Sequence, residues 1–541
     1  MIIDTDILII GAGAAGLTAA LAAHDTGASV TIIEKQDQLG GTAAISGGIV
    51  WVPGNHYMDA HGLSDSPEDA MAYFQSLDQG DIDEIVLSAF VDESPKALKF
   101  LAENNAAGLS MLEGYPDYYL DRPGAKPEGG RALDNDLFDF NTLGEWADKI
   151  FEHGPAPRMM LRETPLGGGT GVVDPEEMQR RESGNLRGWG QALIGRLLKA
   201  CLDREITPLL AADCQQLNME NGHVIGATIA HDGTAKTIKA SKGVIIATGG
   251  FEWNDQLKQT FLRGPLDAPA SPPGNQGDGL KMAMAAGASL GNMTSAWWVP
   301  TLSMPGANWA DGSQRSMPVL IERTLPHTIM VNRAGKRFCN EANNYSALAG
   351  AFHFFDPATY SYPNLPAFLI LDQQYLSKYP LATVMPGMPL PDWITSADDL
   401  ESLANKVGID GAQLATTVAH FNQQAAKAQD EEFGRGTSDY DRFYGDRSRP
   451  GASATLGPLT EAPFHAVEIN MGALGTNGGA RTNGSAQVIG HDDKPIPGLF
   501  AAGNVISCPT GGVYAGAGGT LGPALTFGYI AGRSAARLVN T

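Results

Sequence analysis

Cysteine is scarce in this chain. Four residues in 541, Cys201, Cys214, Cys339 and Cys508, are too few and too scattered for a disulfide framework. None belongs to a CxxC pair, so neither a zinc site nor a redox disulfide is expected, and the compartment reads as reducing. The 11 histidines show no metal-ligand spacing, so no metal is expected. Long apolar runs are missing as well: none approaches the ~18 residues of a membrane span. The opening "MIIDTDILII" has no basic segment followed by an apolar stretch and a cleavage site, and it reads as a strand rather than a signal peptide. A cytoplasmic protein with no integral membrane segment is the expectation. Positive charge is short too. Lys and Arg number 37 against 60 Asp and Glu, and the net charge of −23 argues against nucleic acid or anionic headgroups as partners.

What is abundant is glycine, with 66 residues, beside 43% hydrophobic and only 18% charged residues. That balance suits a large α/β enzyme with many tight turns. At roughly 100–200 residues per domain, the length allows two to four domains.

The segment "TDILIIGAGAAGLTAALAAHDTGASVTIIEKQ" reads as a βαβ unit. Ile7 to Ile10 are an apolar run fit for a buried parallel strand. Gly11, Gly13 and Gly16 then match GxGxxG. The first glycine permits a tight turn, the second lets backbone approach a pyrophosphate, and the third lets helix pack close to strand. A helix from Ala14 to about His24, with Ala14 and Ala15 in its first turn, would offer N–H groups to the phosphates. A second strand, Val30 to Ile33, ends at Glu34, placed to accept hydrogen bonds from ribose hydroxyls and to repel the 2′-phosphate of NADP.

The next stretch points to FAD rather than NAD. In "LGGTAAISGGIVWVPGN", Gly40, Gly41 and Thr42 continue the dinucleotide site, and the small residues through Ser46, Gly47 and Gly48 let backbone lie against a large flat ring. "GVIIATGGFEWN" brings Ala247, Thr248 and Gly249 to a strand end, and "GLFAAGN" brings Gly503 and Asn504 to another. One cofactor touched by four distant segments implies a long molecule held end to end. No second convincing βαβ fingerprint exists; "GNQGDGLKMAMAAGA" lacks a preceding strand, so a dedicated NAD(P)H site is not expected.

Several segments together resemble the fumarate reductase/succinate dehydrogenase flavoprotein superfamily, and within it the 3-ketosteroid Δ1-dehydrogenases. Nearly the whole chain takes part, through "GGTAAISGGIVWVP", "GYPDYY", "GQALIGRLL", "IMVNRAGKRFCNEANNY", "DEEFGRGTSDYDRFY", "LGTNGGARTNG" and "YAGAGGTLGPALTFGY". The resemblance implies further cofactor contacts at Lys35, Asp213, Asp278, Leu521 and Gly522. Two departures matter. Where fumarate reductases resemble "GGVHGxNRLGGN", this chain has "GGVYAGAGGTLGP", with tyrosine for histidine and no arginine to grip a dicarboxylate. No histidine lies in "TAAIS", where membrane-bound members attach flavin, so non-covalent FAD is expected.

Oxidising a carbon–carbon bond beside a ketone needs a base for the α proton, a donor for the developing enolate oxygen, and a hydride acceptor. By resemblance, Tyr514 donates to the substrate carbonyl, and the backbone N–H of Gly518 is the second donor. Tyr345 is the proposed general base, and Tyr118 assists it, with Tyr115 and Tyr119 as near neighbours. An ordinary tyrosine pKa of ~10 is too high for that base, so hydrogen bonds or a cation must lower it. Arg337 and Lys336 are close in sequence. Most of the 14 tyrosines will be packing residues. The same holds for His327, Trp51, Trp297 and Trp298, although the tryptophans are candidates for lining an apolar pocket.

The expected architecture is α/β: a discontinuous Rossmann-like FAD-binding domain, 1–295 and 469–541, with an inserted α+β substrate/catalytic domain, 296–468. The flavin is expected at the seam, with Tyr345 from one domain facing Tyr514 from the other. Residues 105–185, rich in glycine, proline and charge, read as long surface loops in preference to a flap. "DQLKQTFL" and "AMAYFQSL" read as amphipathic helices. The reaction expected is α,β-dehydrogenation of an apolar ring ketone, a 3-ketosteroid first. A smaller cyclohexanone-type ketone, a fumarate-reductase-like ene-reductase, and a flavin electron-transfer module without its own substrate are the alternatives. The electron acceptor is left open between a quinone and a carrier protein.

Overall fold

A computed structural model describes residues 2–152, 154 and 156–538. The chain divides into two compact units: unit 1 is Met1–Leu262, Gly274–Ala296 and Gly475–Thr541, and unit 2 is Arg263–Pro273 and Trp297–Leu474.

Unit 1 is built on a seven-stranded sheet. Strand β1 (Ile2–Ile10) runs parallel to β2 (Val30–Ile33), with Ile7 opposite Val30 and Ile10 opposite Ile33. On its other side β1 runs parallel to Thr234–Ile246, which in turn pairs parallel with Pro495–Ala501. Parallel strands covered on both faces read as unbroken apolar runs, and Ile7, Leu8 and Ile9 are fully buried. The hairpin of Asp213–Glu220 and His223–His231 extends the sheet antiparallel.

Helix α1 (Ala14–His24) is buried at every position from Ala14 to Ala23, because it lies between the sheet and the C-terminal helix Leu521–Ala536. The two helices touch through backbone. A Cβ on Gly528 would stand 2.4 Å from the Ala15 carbonyl oxygen, and one on Gly532 2.3 Å from that of Ala19. Glycines four apart put both contacts on one helix face. Helices form over Pro67–Leu77 and Asp255–Phe261, with Ser66 and Asn254 as N-caps, as their apolar spacing predicts.

Residues 105–185 correct the loop reading. Strands β3 (Val50–Trp51), β4 (Leu109–Glu113) and β5 (Gly129–Asn135) form a three-stranded sheet in the order β3-β5-β4, and Pro175–Ser183 is helical. Charge misled the reading: Asp117, Arg131, Asp134 and Arg181 are buried. Arg131 and Arg181 sit in ion pairs, which removes the need for water that would keep such residues on a loop surface.

Unit 2 carries a six-stranded sheet that includes Ala296–Asn308, Phe464–Thr476, Ala367–Asp372 and Thr328–Val331. Helices Leu400–Val407 and Gly411–Ala425 cover it through Leu403, Leu414, Val418 and Phe421. Among the described residues, no helix is long and apolar enough to cross a membrane, and no group of three or more potential ligand side chains is placed to hold a metal.

Candidate functional site

The first βαβ turn is a cradle open on one side. Gly11, at φ +107°, could not be another residue: its Cβ would fall 2.4 Å from the Ala247 carbonyl oxygen. A Cβ on Gly16 would fall 1.9 Å from the Gly11 carbonyl oxygen. Gly13 differs, since a Cβ there would meet no atom within 4 Å. Its backbone is ordinary and extended, it caps α1, and no side chain caps that helix end. The space before the first-turn N–H groups is thus clear, as a pyrophosphate requires. Gly41, at φ +48°, also faces open space, and Gly40 closes the turn by donating to the Ala12 carbonyl at 3.0 Å.

Glu34 sits at the end of β2, where its carboxylate accepts the N–H groups of Ala12 (3.0 Å) and Gln36 (3.1 Å). Burial pushes its carboxyl above the ordinary range, against these two hydrogen bonds. Each oxygen keeps a lone pair for a ribose hydroxyl. Ala212 donates to the Glu34 carbonyl at 2.8 Å, which sets Asp213 beside it. Lys35 pairs with Asp278. Asp213, Asp278 and Lys281 line a polar cleft of about 460 Å³. Thr42 accepts from Asn275 (2.9 Å), and Asn275 also binds the buried Glu252 (2.7 Å), two residues that spacing alone did not single out. Ser46 accepts from Gly48 at 3.1 Å. Thr248 turns its hydroxyl toward the helix carrying Gly279, so its backbone, with Ala247 and Gly249, is what remains for a cofactor. Gly503, at φ +78°, stands against the Ala15 methyl, and Asn504 follows it. The clear helix N-terminus and the Glu34 carboxylate are chemically suited to the phosphates and a ribose of FAD.

Beyond the cradle lie two buried phenols. The rings of Tyr118 and Tyr514 are stacked, with centroids 5.7 Å apart and planes 11° from parallel. They come from the β4–β5 connection and the loop before the C-terminal helix, and the Tyr118 N–H donates to the Ala515 carbonyl at 3.0 Å. Gly518, at φ +91°, crosses β3 so closely that a Cβ would stand 2.6 Å from the backbone of Ile49 and Trp51. Gly522 is equally constrained, 2.1 Å from the Trp51 carbonyl oxygen, and Leu521 begins the C-terminal helix. The tyrosine can occupy a glycine-rich loop because the glycines let that loop lie on backbone while one phenol projects.

Tyr345 is buried in unit 2, in the turn that leads to the short helix Ala349–Phe352. The turn is fixed by Asn344, which accepts from the Ser346 N–H at 2.8 Å. Arg337, close to it in sequence, is buried. It is neutralised by Glu341 (2.6 Å) and Asp430 (2.9 Å), and Lys336 is exposed. His327 donates from Nδ1 to the Pro458 carbonyl at 2.8 Å, a structural role. Trp51, Trp297 and Trp298 are all buried. The four cysteines are free and buried, and burial pushes the Cys508 thiol up to about 11, which leaves it unreactive.

Asp134 lies beside Asn135, whose amide donates to the Gly48 carbonyl at 2.6 Å. One Asp134 oxygen accepts the Arg162 N–H at 2.9 Å, and burial pushes the carboxyl from 3.8 up to about 6. The native state therefore holds this proton longer than the unfolded chain, and stability falls as pH rises from about 4 to about 6. Asp134→Asn is expected to flatten that fall and to stabilise the protein at pH 8 by on the order of 1–3 kcal/mol. Denaturant melts of both proteins across pH 4–8 check this; parallel curves would refute it.

The FAD binding domain family matches residues 6–521. The chain is 38% identical to 4-oxocyclohexanecarboxylate 2-dehydrogenase of Sinomonas cyclohexanicum, over 98% of this chain and 92% of that one. It is 36% identical to 3-oxosteroid 1-dehydrogenase of Mycolicibacterium smegmatis, over 98% and 96%. Among solved structures it resembles the 3-ketosteroid Δ1-dehydrogenase of Sterolibacterium denitrificans in complex with 1,4-androstadiene-3,17-dione. The TM-score is 0.89 at 34% identity, covering 98% of this chain and 99% of that one.

Proposed function

Since the chain belongs to the FAD-binding flavoprotein family that includes the 3-oxosteroid 1-dehydrogenases, we propose that it introduces a C=C bond α,β to a ring ketone, with a 3-ketosteroid as the first candidate substrate. The chain is an FAD-dependent dehydrogenase acting on CH–CH groups.

The Tyr514 hydroxyl and the Gly518 N–H hold the ketone oxygen as it gains enolate charge. Tyr345 takes the α proton as general base. Tyr118 is assigned, by the same resemblance, to assisting that base, whose phenolate form hydrogen bonding would favour. Bound FAD, held non-covalently, supplies the acceptor for the β hydride. A neutral ketone asks for an apolar site with few charges, and a phenol provides a polar tip on an apolar body. The observation that carries this reading is the stack of Tyr118 on Tyr514, which shares one glycine-rich loop with Gly518.

A second substrate reading, a small cyclohexanone bearing a carboxylate, draws support from the 38% identity to 4-oxocyclohexanecarboxylate 2-dehydrogenase. Competition decides between them. Androst-4-ene-3,17-dione and 4-oxocyclohexanecarboxylate are offered with an artificial electron acceptor, and kcat/KM is compared. The steroid is expected to win by at least about tenfold, a transition-state difference of about 1.4 kcal/mol. The reverse order would move the assignment to the small ketone, and no oxidation of either would remove it. Tyr345→Phe is expected to lower kcat by about 10²–10⁴, the range of a lost general base, with KM nearly unchanged. Turnover within threefold of wild type would exclude Tyr345 as the base.

A further inference from the structure

Beneath the two phenols lies a buried charge cluster. The Arg131 guanidinium binds Asp65 through Nε and Nη2, both at 2.7 Å, and reaches Asp117 through Nη1 at 2.8 Å. The same Asp117 oxygen accepts the Lys126 N–H at 3.0 Å, and the other accepts the Trp51 indole N–H at 2.9 Å. Asp117, Arg131 and Trp51 are all nearly inaccessible. A buried ion pair of this kind is often no more stabilising than apolar residues of equal volume. What it supplies here is direction.

The contacts lead to the Tyr514–Gly518 loop. Trp51 donates its backbone N–H to the Gly518 carbonyl at 3.2 Å, and its indole nitrogen lies where a Cβ on Gly516 would come within 2.4 Å. Asp117 immediately precedes Tyr118, whose N–H binds the Ala515 carbonyl. That carbonyl also accepts the Tyr73 hydroxyl at 2.8 Å, and Arg131 lies over the rings of both Tyr73 and Trp51.

We infer that Asp117, oriented by Arg131, is a positioning residue for ring-ketone oxidation: it fixes Trp51 and the Tyr118 backbone, and through them the Tyr514 hydroxyl and the Gly518 N–H. The inference rests on the proposed function, because those two donors are the ones assigned there to the enolate oxygen.

The test uses the FAD-loaded enzyme. Asp117→Asn keeps the shape of the side chain but has one acceptor oxygen where two are used, so its NH₂ group must face a donor, either the Trp51 indole N–H or Arg131 with the Lys126 N–H. It is expected to lower kcat about 10–100-fold with KM within threefold and FAD content unchanged. Trp51→Phe keeps a ring and loses only the indole N–H; a fall of about 5–10-fold is expected. The double variant should be no slower than Asp117→Asn alone, because both break one chain of contacts. A second readout needs no turnover. Substituted phenols of graded acidity mimic the enolate, and their binding is followed by the flavin absorbance. Wild-type affinity should rise with phenol acidity, and each variant should flatten that slope.

A wild-type slope in the variants, or parallel lines with every phenol weakened equally, would overturn the positioning role. If Asp117→Asn fails to fold, Trp51→Phe decides by the same slope. Should wild type oxidise no ring ketone, the proposed function fails, while the phenol slopes still report on the two donors; a wild-type slope of zero would sink the inference itself.

Discussion

Tyr514→Phe is expected to slow ring-ketone oxidation by about 10²–10³-fold while the purified protein stays yellow. Removing one donor from a pair that stabilises an oxyanion costs about 2.7–4 kcal/mol of transition-state energy. The substitution deletes one oxygen and leaves the ring that stacks on Tyr118 in place. The effect belongs in kcat more than in KM, because a ketone oxygen gains most of its negative charge after binding. Stopped-flow reduction of the flavin by a ketosteroid gives the rate directly. A rate within threefold of wild type would mean that the Gly518 N–H alone suffices, or that the ketone oxygen lies elsewhere, and either result removes Tyr514 from the reaction.

Gly13→Ala is expected to give a folded protein that has lost its cofactor. The position has an ordinary extended backbone and open space where a methyl would go. The apoprotein should therefore melt within about 1 kcal/mol of wild-type apoprotein, the order of a changed N-cap residue. The open space is where a pyrophosphate meets the helix N-terminus, and FAD affinity should fall at least about 100-fold. Gly16→Ala makes the contrast. Its methyl would overlap the Gly11 carbonyl oxygen at 1.9 Å, so that variant should lose folding and cofactor together. Fluorescence titration with FAD, next to apoprotein melts, separates the two cases. Gly13→Ala protein that binds FAD as tightly as wild type would show that the phosphates do not lie there.

The physical reach of each signal decided how much could be read in advance. The βαβ unit was legible because its determinants are local: an apolar run, three glycines and an acid within 34 residues give α1 its observed bounds, Ala14–His24. The strands that return to the cofactor, ending at Ile246 and Ala501, were legible for the same reason. The region 105–185 was not. Arg131 finds Asp65 at a separation of 66 residues, and no spacing rule announces that a charged residue in a glycine-rich stretch will be buried. Among fourteen tyrosines, the glycine-rich flank of Tyr514 marks it out locally, whereas Tyr345 and Tyr118 stand out mainly by resemblance. The stack of Tyr118 on Tyr514 joins opposite ends of the sequence, and only folding brings the two together. Arg337 makes the same point: close to Tyr345 in sequence, it spends its charge on two carboxylates, one of them 93 residues away.

The glycine contacts between α1 and the C-terminal helix carry a consequence for the loops that lead into them. The loop bearing Tyr514 and Gly518 is the lead-in to one helix, and the phosphate-binding turn is the lead-in to the other. With no side chains between them at Gly528 and Gly532, the pair acts as a fixed ruler that holds the two lead-in loops at constant separation. One added methyl on either glycine would push the two helices apart, and with them the two lead-in loops.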